Sequence, residues 1–167
     1  MATKTDFSAT EWETLREAPH AVVLAVAAAG GSGIFGSIKE AIAPAGTIVE
    51  ALKGDNQLLR QISDREEIKA AIESLKDLAK AGGDFKSIQA AFRNAAIEKS
   101  RAAIDLLQQK GSPEDVAAFR EFLSTLGEKV ANAAKEGAFL GFGGERVSAE
   151  ERALLAELGQ VLGVQKA

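Results

Sequence analysis

Five stretches of this chain carry the local chemistry that starts an α-helix, and their spacing leaves little room for another kind of structure. Thr10-Glu11-Trp12-Glu13, Ser63-Asp64-Arg65-Glu66 and Ser148-Ala149-Glu150-Glu151 each fit the capping box. In that motif a hydroxyl and a glutamate three residues later satisfy the orphan amides of the first turn. Ser112-Pro113-Glu114-Asp115 joins a capping serine to a proline at the first helical position and two acids beside the positive end of the helix dipole. Asp84 can cap a further helix.

Apolar residues recur at helical spacing after each start. They are Trp12, Leu15, Val22, Val23 and Val26 in the first segment, and Ile68, Ile72, Leu75 and Leu78 in the one after Ser63. The next carries Phe85, Ile88, Phe92, Ala96, Ala103 and Leu106. After Pro113 come Val116, Phe119, Leu123, Leu126, Val130 and Ala133, and after Ser148 come Leu154, Leu155, Leu158 and Leu162. Gly82-Gly83, Lys110-Gly111 and Gly137 supply stops. A further helix is expected over 37–52, interrupted at Pro44-Ala45-Gly46, and Pro19 is expected to bend the first helix. The short Gly111 turn implies that the helices on either side lie antiparallel and side by side. The chain is therefore expected to be all-α: a single domain over 1–167, folded as an antiparallel bundle of about six helices.

Composition then excludes several chemistries. There is no cysteine, so thiol catalysis, zinc-thiolate sites and disulfides are ruled out. His20 is the only histidine, too few for a His-based metal site or for the paired Glu-x-x-His of di-iron bundles. No metal and no cofactor is expected. A formal charge of −4 with no basic cluster argues against a nucleic-acid partner. The N-terminal stretch has no apolar region of the secretory type, which fits a cytoplasmic location. Residues 18–38 form an uncharged run of membrane-spanning length, but alanine, glycine, Pro19 and His20 dilute its apolarity, so membrane association ranks as an alternative only.

Gly31-x-Gly33-x-x-Gly36 has the look of a dinucleotide-binding loop, with 22–26 as its strand. That reading requires a parallel sheet, which nothing downstream supplies, so a corner between helices is the better account. A second corner of similar make-up, Gly137 to Ser148, contains Phe139, Leu140, Phe142 and Arg146. The three large apolar side chains are expected to be mostly buried, anchoring the loop between the fifth and last helices. The alternative is a ligand or partner surface drawn from Phe35, Phe139, Phe142, Arg146 and His20. His20 beside Pro19 is read as a polar tip at a bundle end, and Glu11, Glu13 and Glu17 as a solvated helix face.

The apolar helix, glycine turn and helix over 20–43 loosely resemble the tellurite-resistance TerB-like helical proteins across about 25 residues. Gly30-Gly31-Ser32-Gly33 replaces the acidic Asp-Gly turn of that family, so the resemblance implies no function here. What remains is a non-enzymatic interaction or structural module with a protein partner or self-association, a small-ligand-binding bundle being the second reading.

Overall fold

A computed structural model describes residues 1–30, 49–50, 53–81, 83–136 and 147–164. Among these the chain forms six α-helices and no strand: α1 (Ala9–Ala29), α2 (Gln57–Ile62), α3 (Arg65–Ala81), α4 (Phe85–Lys110), α5 (Pro113–Glu136) and α6 (Ala149–Leu162). A short 3-10 turn, Lys4–Asp6, precedes them. The all-α bundle expected from the sequence is present. Most of the expected 37–52 helix lies outside the described residues.

Local capping fixes most of the boundaries. Asp84 accepts from Ser87 N at the start of α4, and the Ser148–Glu151 box opens α6 with both of its bonds formed. Ser112 Oγ accepts from Asp115 N at 3.2 Å while Asp115 Oδ2 accepts from Ser112 N at 3.0 Å, so the aspartate serves as the acid of a third reciprocal cap. Two starts differ from expectation. The box of α1 is Ser8 with Glu11, not Thr10 with Glu13, and the helix begins at Ala9. At α3 the capping oxygen belongs to Asp64, whose Oδ1 accepts from Glu66 N, while Ser63 is buried behind it.

α1 is the axis of the bundle. It packs most extensively against α4 and is also flanked by α5, α3 and α6. Neighbours on several sides explain why it is buried without a break from Glu17 to Val26, where a surface helix would bury a single stripe. The helix continues across Pro19 without interruption. Lys110 Nζ to Glu11 Oε2 at 2.6 Å and Gln89 Nε2 to the Ala28 carbonyl at 2.6 Å mark opposite ends of the α1–α4 contact, which is antiparallel.

One continuous core results. Leu15, Val22 and Val26 of α1 join Phe92 and Leu107 of α4, Phe119, Leu123 and Leu126 of α5, and Leu154, Leu158 and Leu162 of α6. Each such side chain contributes roughly 1.5–3 kcal/mol by leaving water. Gly127, inside α5, marks a close approach: a Cβ there would stand 2.9 Å from Leu155 Cδ2 and 3.7 Å from Val22 Cγ1. Phe85, expected on the apolar face of α4, is 55% exposed at the helix start, and Ile104 and Leu107 take up the inward positions nearer the other end.

Candidate functional site

Two places in the fold gather polar chemistry beyond simple capping. The first lies inside the α1–α4 contact. Glu17 and His20, three residues apart on α1, are 2% and 1% exposed. Helical spacing sets them on one face. From α4, Lys99 extends Nζ to within 2.6 Å of Glu17 Oε2. The remaining polar atoms of this layer are unmatched: Glu17 Oε1, both ring nitrogens of His20 and Ser100 Oγ have no hydrogen-bond partner among the described residues.

These positions correct two expectations. Glu17 is not part of a solvated face, because four helices surround α1, and His20 is not a polar tip or a surface residue. Burial pushes the imidazole down to about 4, with the nearby Glu17 carboxylate pulling only weakly the other way. His20 is therefore a neutral ring at physiological pH. A neutral imidazole beside a carboxylate has the parts for acid–base chemistry, but a reacting proton must come within hydrogen-bond reach. At 1% exposure this ring is closed off from solvent.

The second place is the C-terminal end of α1. An α-helix leaves its last carbonyls without intrahelical partners. Here two are met by side chains from distant helices: the Ala28 carbonyl by Gln89 Nε2 of α4, and the Ala29 carbonyl by Ser148 Oγ at 3.3 Å. Ser148 is itself the N-cap of α6, so the end of one helix is joined to the beginning of another. Glu151, 3% exposed, accepts from Ser148 N through Oε2. Its Oε1 lies against Gly30, where an added Cβ would stand only 3.0 Å away.

That junction has a topological result. Segment 31–48 departs from Gly30, and segment 137–146 rejoins the helices just before Ser148, so both glycine- and phenylalanine-bearing stretches are rooted at the same pole of the bundle. Phe35, Phe139, Phe142 and Arg146 lie outside the described residues, as does the Gly31-x-Gly33-x-x-Gly36 motif. The strand that a nucleotide-binding reading would take from 22–26 is helix. Beside the junction is a cleft of about 230 Å³ lined by Ala25, Ala29, Lys86, Gln89, Arg93 and Leu154 among others. Arg93 is also paired with Glu157 of α6.

The described residues contain no group of three or more acidic or histidine side chains able to hold a metal ion. No described helix is long and apolar enough to cross a membrane. The chain matches no protein-family model, no curated protein sequence and no solved structure.

Proposed function

We propose that this protein is a non-enzymatic interaction module, a helical scaffold that presents the two glycine- and phenylalanine-bearing segments from one pole for a protein partner, a second copy of the chain included. The observation that carries the reading is the junction of α1 and α6, where Ser148 bonds the Ala29 carbonyl and Glu151 packs on Gly30. Two separate stretches rich in large apolar side chains gain recognition value when rooted side by side on a rigid base. Phe35, Phe139, Phe142 and Arg146 are the residues assigned to that surface, in place of the core anchoring otherwise expected of Phe139 and Phe142. The burial of Glu17 and His20 supports the non-enzymatic part, since both side chains are withheld from solvent. We assign the protein to the cytoplasm, in keeping with its lack of cysteine.

The test is Phe142→Ala, read by melting temperature together with light scattering across a concentration series. An unchanged melting temperature with weakened association supports the assignment. A loss of stability of roughly 3–5 kcal/mol, the usual cost of truncating a buried phenylalanine, with association unaltered would overturn it and make the loop a core anchor.

A further inference from the structure

Between residues 123–128 of α5 and 155–164 of α6 the two helices leave a groove of about 450 Å³, within the range of small-molecule sites. It belongs to the half of α6 remote from Ser148, apart from the surface proposed above. Its buried lining residues are Leu123, Gly127, Leu158 and Leu162, and its more open lining includes Ser124, Glu128 and Gln160. None of the residues lining it is basic. Two glycines meet the groove on different terms. At Gly127 an added Cβ would stand 2.9 Å from Leu155 Cδ2, so the small residue serves the contact between the helices. At Gly159 an added Cβ would meet only the Val164 carbonyl, at 3.3 Å, and no side chain of α5 comes within 4 Å of that point. The fold leaves the space beside Gly159 unfilled, whereas the interior of a bundle is packed to the density of an organic crystal.

We infer that this groove binds a cationic amphiphile: a primary ammonium group carried on a linear apolar chain. The leucines of the lining take the chain, because apolar surface laid against them leaves water. The polar edge takes the head. Ser124 and Glu128 stand four residues apart on α5, so both face the same side of the helix, and together they offer a hydroxyl and a carboxylate to an ammonium with three donors. A carboxylate has about four acceptor positions, enough to receive that head beside the interaction Glu128 already makes. Charge sets the order of preference. An anionic head would face the Glu128 carboxylate with no basic residue in the lining to offset the repulsion, and an uncharged head would gain only the apolar part. The groove therefore selects ammonium over alcohol, and alcohol over carboxylate, on chains of equal length.

Octylammonium chloride, 1-octanol and sodium octanoate, titrated below micelle-forming concentrations into the full chain labelled with nitrogen-15, test the inference. Octylammonium is expected to shift the Gly127 and Gly159 amide resonances saturably, octanol more weakly and octanoate least. Glu128→Gln should weaken octylammonium binding about fivefold, the upper end for a partly exposed ion pair, and leave octanol binding unchanged. Ala156→Leu places a good helix former at an exposed position of the lining, so the chain should fold while the groove is filled and binding of both is lost. Four results overturn the inference: no saturable shift with octylammonium, octanoate bound as tightly as octylammonium, Ala156→Leu without effect, or equal weakening of octanol by Glu128→Gln. Groove resonances that move with protein concentration and not with octylammonium also overturn it, and make this face an interface between copies.

Discussion

The Asp115 node and the Glu17–His20 layer both bury polar side chains almost completely, yet they are built on opposite terms. Asp115 is fully buried, and its Oδ2 accepts from the Ala2 and Ser112 amides while Oδ1 accepts from Asn56 Nδ2. Every carboxylate oxygen there has donors, and those donors come from three separate parts of the chain. Around Glu17 one lysine approaches from the edge of the bundle, and four polar atoms of the layer have no hydrogen-bond partner among the described residues. The contrast shows that burial alone does not make a polar group costly. A buried acceptor given its donors fixes the arrangement of segments, while one without them is a place where the fold can be broken by a small change of charge.

The largest effect should come from removing the Lys99 cation that meets Glu17. Lys99→Met leaves Glu17 buried and unpaired, a change expected to cost about 3–5 kcal/mol in urea unfolding. The value is expected near the lower end because the Lys99 side chain is 30% exposed and water reaches that side of the pair. Adding Glu17→Leu to the same chain should restore stability to the parental level or above. A single variant as stable as the parent would show that the layer is not the weak region.

Acid separates the two regions by pH window. His20 has a folded value of about 4 against an ordinary 6.5, so between those limits the unfolded chain binds the extra proton. Stability is complete above about pH 6.5 and falls as the pH drops toward 4, with a total loss of about 3 kcal/mol at 1.36 kcal/mol per unit. Asp115, held below the ordinary carboxylate range, runs from its own lower limit: its contribution is present above that range and is lost only in stronger acid. Thermal melts from pH 7 to 3 of the parent and of His20→Leu check this. The variant should lose the decline between 6.5 and 4 and retain the later one.

Smaller effects probe the well-paired region and the far pole. Asn56→Ala removes both the cap on Leu59 N and a donor to Asp115, at an expected cost of about 2 kcal/mol by chemical denaturation. Ser148→Ala removes the α6 cap and the bond to the Ala29 carbonyl, and is expected to cost about 1 kcal/mol. If Ser148→Ala proves costlier than Lys99→Met, the ordering of the regions is reversed.

What was legible in the sequence divides along the range of the interactions involved. The caps at Asp84, Ser112 and Ser148 could be read because each is made by residues three apart, and the expected all-α fold rests on them. Ser8 and Thr10 each have a glutamate three positions on, so the local pattern does not decide between them, and it is Ser8 that stands outside the helix. Glu17 and His20 were misplaced for a different reason. A polar residue on a helix is assigned to solvent unless its neighbours are known, and the burial of α1 on several sides depends on helices that arrive much later in the chain. Asp115 was recognised as a first-turn acid. Its bonds to Ala2 and Asn56 span 113 and 59 residues and left no local pattern to find.

The dependence of α1 on Ser148 gives the protein a schedule during its manufacture. The thoroughly covered α1 is made before the described helices that cover it, and the hydroxyl that closes its last turn lies 119 residues behind it. At translation rates of about 5–20 residues per second, the nascent chain waits roughly 6–24 s between exposing that apolar rod and receiving the piece that seals it. Until α6 emerges, the Ala29 carbonyl at the end of α1 is without that hydroxyl.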